Sequence, residues 1–467
     1  MVFSTPEFLF LFLPVVWLVF WLLALYAKQR LLLGWLGIAS LVFYGAWDVA
    51  LLPLLIASIV INFWLAGFVA RPSRGWLWLG VGFNLALLGW FKYSLFFLSV
   101  ANLPAPAFSP LVLPLGISFF TFQQIAFLVD VRQGVIQRGP FSLYGVFVSF
   151  FPQLIAGPIV HYRDIAPQLV RLSRPAPWAL RCGLLLLALG LAKKLLIADN
   201  LAPYVDHLYA KPPGSFVAGD TFAAGWAYGL QLYFDFSGYA DMAIGLALLF
   251  GISLPENFAS PYRSGDIQAF WRRWHITLSR FLRDYLYVPL GGSQHGLPRH
   301  LFALMATMLL GGLWHGAGWQ FVVWGGLHGA LLAWLVIWRR LFVFRLPFLL
   351  GWWLTFCAVM LAWVPFRSGG LGQTWAIYSG LAHWQWGALA DIWHSLQGGV
   401  MALRSPGLLM VAATFIALAM PNSMAWATLL NQPKRYFWQG AFVGVIALAV
   451  AKAMLDLPSQ AFLYFNF

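Results

Sequence analysis

Apolar stretches, most of them close to twenty residues long, recur from one end of this sequence to the other. They cover residues 8–27, 31–47, 51–70, 76–101, 111–131, 182–198, 222–249, 321–338, 348–365, 407–425 and 437–451. A helix needs about 20 such residues to cross a hydrocarbon core about 30 Å thick. Because 61% of the residues are hydrophobic and only 9% are charged, the chain has too few charges for a soluble surface. The sequence therefore predicts a membrane protein.

The spans are predicted to be helices. Backbone in lipid must satisfy its own hydrogen bonds, which leaves helices and closed barrels, and the alternating pattern of barrel strands is missing from this sequence. We predict an all-α polytopic protein with about 11 to 13 transmembrane or partial helices in one membrane domain over residues 1–467. Glu7, with no Lys or Arg before it, predicts a retained first helix whose N-terminus lies outside the cytoplasm.

The basic residues fall on alternate connections between the apolar stretches, although the net charge is +14 overall. Those predicted to face the cytoplasm are Lys28, Arg30, Arg71, Arg74, Arg132, Arg138, Arg339, Arg340, Arg345, Lys434 and Arg435. The opposite connections, such as residues 101–110, carry few or none. This is the positive-inside bias, which predicts a role in orientation and in contact with membrane lipids, and not nucleic-acid binding.

One apolar stretch, residues 142–160, breaks the alternation. It has basic connections on both sides and is interrupted by Pro152 and Pro158. Irregular backbone at membrane depth is tolerated where it is buried in protein or lines a cavity. We therefore predict a re-entrant or in-plane element and a cavity on the cytoplasmic side.

Residues 266–286 form the clearest amphipathic pattern in the chain. At helical spacing one face carries Ile267, Phe270, Trp271, Trp274, Leu278, Phe281, Leu282 and Tyr285, and the other carries Arg272, Arg273, Arg280, Arg283 and Asp284. This pattern predicts a continuous interfacial helix in the plane of the headgroups. His275 falls at the seam between the two faces. A plain anchor helix explains the arginines, so a chemical role for His275 stays open on spacing alone.

Several ionisable residues lie inside apolar stretches, where they usually face a cavity or a partner. Asp235 and Asp241 are two of them. Lys193, Lys194 and Asp199 lie at a helix end, and the lysines are predicted to snorkel to the interface.

His315 and His328 are 13 residues apart with no acid nearby, so no metal site is predicted. His315 lies among Gly311, Gly312, Gly316 and Gly318. Such glycines allow close approach of a helix or a ligand. A buried neutral imidazole suits a general base, but a core histidine bonded to a carbonyl is an equal alternative.

The motifs WRRWHITLSRFLRDYLYVPLGG (271–292) and LLGGLWHGAGWQFVVWGGLHG (309–329) resemble the membrane-bound O-acyltransferase superfamily, specifically its bacterial alginate O-acetyltransferase branch. The same pattern includes LPLGISFFTFQ (113–123), FPQLIAGPIV (151–160) and YFDFSGYADMAIGLALLFG (233–251), and it covers nearly the whole chain. The resemblance implies a ring of helices around a funnel open to the cytoplasm. It also implies that the segment 300–338 carries the family's W-H-G histidine, His315.

The resemblance further implies acyl transfer from a thioester, here acetyl-CoA, to a secreted exopolysaccharide such as alginate or cellulose outside the inner membrane. No permanently bound cofactor is expected, and periplasmic or membrane-anchored acetyltransferases are the expected partners. His315 would be the general base and His275 the second catalytic position.

The implied donor-binding residues are Arg272 and Arg273, which would attract the phosphates of coenzyme A, together with Trp274 and Trp314. Asp235 and Asp241 would shape the wall or orient a histidine. Two alternatives stay open: a transferase that takes an aminoacyl or acyl group from a carrier protein to a cell-wall polymer, and a non-enzymatic membrane transporter.

Overall fold

The structure, a computed structural model, describes residues 1–26, 29–71, 73, 75–104, 113–342, 344, 346–397, 405–456 and 462–463. Within these ranges all regular secondary structure is helical. The predicted cytoplasmic residues Lys28, Arg74 and Arg345 lie outside the described residues, as does most of the connection 101–110.

Seven helical segments are each long and apolar enough to cross a membrane. They are Phe8–Tyr26, Val49–Val69, Gly75–Val100, Gly296–His315, Trp319–Leu341, Phe348–Arg367 and Pro433–Asp456. The pair Pro406–Ala419 and Ser423–Leu430, bent by 63°, is an eighth if it forms one broken span. The prediction of an all-α polytopic membrane protein is confirmed. Apolar stretches 31–47, 111–131 and 182–198 contain shorter or interrupted helices, whereas 222–249 belongs to a 32-residue helix, Ala218–Leu249, that is not among these seven.

The chain folds into two compact units. The first contains Met1–Leu191, Tyr239–Glu256 and Ala427–Ser459. Its helices in chain order are α1 (Leu13–Tyr26, after a π-helical turn Phe8–Phe12), α2 (Gln29–Gly45), α3 (Leu52–Val69), α4 (Gly75–Leu88), α5 (Ser94–Val100), α6 (Ile117–Arg132), α7 (Phe141–Ser149), α8 (Phe151–Leu154), α9 (Tyr162–Val170) and α10 (Pro177–Ala192). The predicted break over residues 142–160 is seen here, because α7 and α8 are short and residues 155–161 are not helical.

The second unit contains Ala192–Gly238, Asn257–Trp426 and Gln460–Phe467. After a π-helical turn (Lys193–Ala198) come α11 (Asp199–Tyr209), α12 (Ala218–Leu249), α13 (Ile267–Trp271), α14 (Ile276–Leu282, extended by a π-helical turn Arg283–Tyr287), α15 (Gly296–His315), α16 (Trp319–Leu341), α17 (Phe348–Arg367), α18 (Leu371–Ser379), α19 (Ala388–Gln397), α20 (Pro406–Ala419) and α21 (Ser423–Leu430). Helices α12 and α21 each end in the first unit, which also contains α22 (Tyr436–Asp456).

The amphipathic segment 266–286 is not the continuous helix that its pattern predicts. It divides into α13 and α14, and His275 at the junction has a left-handed backbone conformation with φ 44°. A distant stretch supplies the hydrogen bonds at this break, because Ile276 N–H donates to the Asn257 carbonyl and Ala259 N–H donates to the Arg273 carbonyl. The two-faced burial pattern is nevertheless confirmed: Phe270 and Trp274 are buried, whereas Arg272 is exposed.

Helices α15 and α16 meet backbone to backbone through glycines. A Cβ atom on Gly312 would lie 2.3 Å from the Phe321 carbonyl oxygen, and one on Gly325 would lie 2.2 Å from the Met308 carbonyl oxygen. Only glycine permits this approach, which is the usual use of small residues between membrane helices. The contact fixes the C-terminal end of α15, where His315 is the last residue.

Candidate active site

His315 is buried, with 4% of its surface exposed, at the end of α15. Its ring centroid lies 5.0 Å from that of Trp314, 4.9 Å from that of Trp324 and 5.2 Å from that of Phe366. The next residue must be glycine, because a Cβ on Gly316 would lie 2.1 Å from the Phe321 ring. The sequence therefore ends the helix at the histidine and folds the chain tightly over it.

A small cavity adjoins the His315 ring. Its volume is about 10 Å³, and its lining consists of Leu232, Phe236, Trp274, His315, Trp324, Trp363 and Phe366. A space of this size holds about one water molecule. Because six of the seven lining side chains are aromatic or aliphatic, His315 is the one ionisable group in the wall among the described residues. A proton acceptor in such a surrounding is shielded from bulk water.

His275 is fully buried at the start of α14, and not at the seam where the helical pattern put it. Its Nδ1 lies 3.2 Å from Asn257 Oδ1, and that oxygen also accepts hydrogen bonds from the Thr277 N–H and hydroxyl. Since the Asn257 oxygen is an acceptor in all three contacts, Nδ1 of His275 carries the proton and Nε2 keeps a lone pair. Burial lowers the pKa of His275 to about 3, so the ring is neutral at pH 7.

Aromatic rings link the two histidines. Trp314 lies 5.0 Å from the His315 ring and 6.4 Å from the His275 ring. Phe236, which lines the cavity, lies 4.7 Å from the His275 ring. The structure thus brings together two sequence-predicted catalytic positions that are 40 residues apart.

The predicted donor-binding residues separate into two groups. Trp274 is buried and lines the cavity, and Trp314 is buried against both histidines. Arg272 is exposed and Arg273 is half-buried; neither lines the cavity, and neither makes an ion pair with a described residue. The arginines precede His275 by two and three residues at the turn between α13 and α14.

Lys194 does not snorkel to the interface, and that prediction is wrong. Its side chain is 5% exposed, and its Nζ lies 2.7 Å from Asp199 Oδ1 and 2.8 Å from Asp235 Oδ1. The second Asp235 oxygen accepts a hydrogen bond from the Leu463 N–H at 2.9 Å. Asp235 therefore binds a lysine and the C-terminal segment, and does not orient a histidine. Two buried carboxylates bind the lysine in place of water.

The sequence profile of the membrane-bound O-acyltransferase family matches residues 41–363. The chain belongs to this family. It is accordingly an acyltransferase and a multi-pass membrane protein, and the non-enzymatic transporter alternative is set aside. The family match includes the helices that carry both histidines of the site.

Two curated relatives of this O-acyltransferase resemble it over most of their length. The peptidoglycan O-acetyltransferase of Helicobacter pylori is 39% identical over 100% of this chain and 98% of its own. The probable alginate O-acetylase of Azotobacter vinelandii is 40% identical over 84% of this chain and 80% of its own. The teichoic acid D-alanyltransferase of Bacillus subtilis is more distant, with 28% identity over 49% of this chain and 61% of its own.

Sequence reasoning missed most of the cavity wall of this O-acyltransferase. Trp324, Trp363, Phe366 and Phe236 belong to α16, α17 and α12, and each looks like an ordinary apolar helix residue. Asn257 was missed too, because it lies in an irregular stretch with no motif of its own. The local sequence carries no signal that separates these tryptophans from other apolar helix residues, because the burial of an indole N–H is visible only in the structure.

His328 is a buried histidine that the sequence noted without a role. Its ring lies 4.9 Å from Trp324 and 5.2 Å from Trp271, and neither ring nitrogen makes a hydrogen bond to a described residue. Replacing a buried polar group that has no partner with an apolar group of similar shape is nearly neutral or stabilising. We expect His328→Phe to leave the thermal unfolding midpoint in detergent micelles unchanged or higher.

The matched control is His275→Phe, which removes the hydrogen bond to Asn257 and should cost about 1–3 kcal/mol in the free energy of unfolding. If His328→Phe lowers the midpoint as much as His275→Phe does, the assignment of His328 as an unpartnered ring is wrong.

Proposed function

We propose that this O-acyltransferase moves an acetyl group from a cytosolic thioester, acetyl-CoA, to a hydroxyl of a polysaccharide outside the inner membrane. The observation that carries the proposal is the burial of His315 against a water-sized cavity lined by aromatic side chains. The names of the full-length relatives support acetyl as the group transferred. The expected partners are the periplasmic or membrane-anchored acetyltransferases implied by the resemblance.

In the proposed reaction, His315 takes the proton of the acceptor hydroxyl as its oxygen attacks the thioester carbonyl carbon. The carbon–sulfur bond then breaks, the ester forms, and the thiolate leaves with the proton that His315 returns. A thioester is already activated, so no covalent enzyme intermediate is needed. The indole N–H of Trp324 is buried beside the cavity without a hydrogen-bond partner among the described residues, and it is our candidate donor to the oxyanion.

His275 is proposed to act differently from His315. A general base works best when its pKa is near the working pH, and a pKa of about 3 is far below it. The neutral ring, held by Asn257, is suited to accept a hydrogen bond through Nε2 and so to orient a substrate group. Arg272 and Arg273, without ion-pair partners among the described residues, are proposed to attract the phosphates of coenzyme A, beside Trp274 and Trp314.

The acceptor is proposed to be peptidoglycan, with alginate as the second candidate. The peptidoglycan relative matches this chain from end to end, whereas the alginate relative matches 84% of it at nearly equal identity. Coverage that includes the last helices favours the first acceptor. Cellulose, also implied by the resemblance, stays a prediction.

The deciding experiment compares a deletion strain with the same strain complemented by wild type or by His315→Ala. Mass spectrometry of muropeptides and of secreted polysaccharide measures the O-acetyl esters on each. We expect wild type to restore muropeptide O-acetylation and His315→Ala to leave it at the level of the deletion strain. Restoration on secreted polysaccharide alone would move the acceptor to alginate, and restoration of neither would contradict the proposal.

The identity of the acyl donor distinguishes the proposed reaction from the carrier-protein alternative. Vesicles containing the protein are supplied with labelled acetyl-CoA, or with an acylated carrier protein, and label in polymer is counted. We expect acetyl-CoA to suffice. Label transferred only from the carrier would favour the D-alanyltransferase type of reaction.

A further inference from the structure

The first unit has a groove of about 910 Å³ between α2, α3 and α7. Its walls are mainly apolar and include Leu33, Ile38, Leu41, Ile56 and Val146. Cavities of this size are in the range of specific small-molecule sites. Because α3 lies in a candidate membrane-spanning segment, Val49–Val69, we infer that the groove faces the acyl chains of the bilayer.

Glycines leave the floor of this groove open. Among the residues that the structure describes, no atom outside the local backbone lies within 4 Å of a Cβ built on Gly34 or on Gly145, and a Cβ on Gly37 would meet Val146 at 3.5 Å. Small residues in membrane helices normally serve close helix contact. At Gly34 and Gly145 no helix of the described part of the chain fills the space, so the missing side chains create room for a ligand.

One end of the groove is basic. Helices α2 and α7 run in the same direction, because Gly37 faces Val146 and the Phe151 N–H donates to the Ser40 hydroxyl. Their first residues therefore lie at the same end. There Arg30 is exposed and makes no ion pair with a described residue, and α7 begins after Pro140 without a side-chain cap. A free guanidinium beside uncapped helix N–H groups favours an anion.

The length of the groove matches one leaflet. From Arg30 to Leu41 the helix rises about 16 Å at 1.5 Å per residue. Half of a hydrocarbon core about 30 Å thick is about 15 Å. Because the preceding candidate span ends at Tyr26 and α2 begins at Gln29, we infer that Arg30 lies near the membrane surface and Leu41 about one leaflet deeper.

We propose that the groove binds one anionic phospholipid of the surrounding bilayer. The phosphate lies at Arg30 and the start of α7, and an acyl chain lies along α2 over Gly34 and beside Gly145. The site is independent of the acyl-transfer proposal, because it uses none of the residues assigned to that reaction.

The test is native mass spectrometry of purified, delipidated protein after addition of phosphatidylglycerol or phosphatidylcholine at equal concentration. We expect wild type to retain one phosphatidylglycerol per chain and at least about tenfold less phosphatidylcholine. Gly34→Leu combined with Gly145→Leu fills the groove and should reduce retention of phosphatidylglycerol at least about tenfold. Gly444→Leu on α22, where a Cβ also meets no atom, is the matched control and should retain the lipid.

Arg30→Gln provides a second measurement that does not depend on repacking the groove. We expect it to reduce the preference for phosphatidylglycerol to near one, whereas Arg435→Gln, at the beginning of a different span, should preserve it. Equal retention of both lipids by wild type, or unchanged retention in the groove-filled variant, would overturn the proposal.

Discussion

His315→Ala is expected to reduce kcat for acetyl transfer by about 10²–10⁴-fold, with little change in KM for acetyl-CoA. General-base assistance is worth about that factor, and the acceptor hydroxyl would have to lose its proton to water in a cavity that holds about one molecule. The measurement is initial rate of ester formation by purified protein in vesicles, with labelled acetyl-CoA as donor.

The control is His300→Ala, a half-buried histidine on the same helix but far from its C-terminal end. It should keep kcat within about twofold of wild type, since surface substitutions away from a site change little. Added imidazole should restore part of the activity of His315→Ala, because the deleted ring leaves a space that adjoins the cavity. A folded His315→Ala protein with near-normal kcat would show that His315 is only a core residue.

Local sequence patterns predicted those features of the fold that are determined by residues close together in the chain. Apolar length predicted six of the seven candidate spans and the bent pair, but not the span Gly296–His315. Pro152 with Pro158 marked the interrupted element over residues 142–160. The glycines around His315 correctly predicted a close contact between chain segments, because the Phe321 carbonyl packs against Gly312 and the Phe321 ring packs against Gly316. In each case the constraint lies within a few residues of the feature that it determines.

The parts that the sequence could not predict depend on partners far along the chain. The helical pattern over 266–286 is intact, yet the chain breaks at His275, where Asn257 accepts hydrogen bonds from Ile276 and Thr277 and Ala259 donates one to Arg273. The cavity wall combines Phe236 with Trp363, which are 127 residues apart. Such long-range pairings leave no periodic pattern in the local sequence. They place His275 at a break between two helices, and not on the seam of one continuous helix.

The environment of Lys194 also depends on a partner far along the chain, because its ammonium group pairs with Asp235. The lysine pairs with both Asp199 and Asp235, and all three side chains are buried. Removing one member of a buried ion pair leaves uncompensated charge and costs about 3–5 kcal/mol. Lys194→Met is therefore expected to lower the free energy of unfolding in micelles by about that amount.

Neutralising the carboxylates should reverse most of this loss, since buried ion clusters replaced as a whole are often neutral in stability. The variant that combines Lys194→Met with Asp199→Asn and Asp235→Asn is expected to have a free energy of unfolding close to that of wild type. The control is Lys193→Met, at the half-buried neighbouring position, which should change the free energy of unfolding by less than about 1 kcal/mol. If Lys194→Met were as mild as Lys193→Met, the lysine would reach water after all. The prediction that Lys194 extends to the interface would then be correct. The Asp235 carboxylate would bind the Leu463 N–H without a lysine to neutralise its charge.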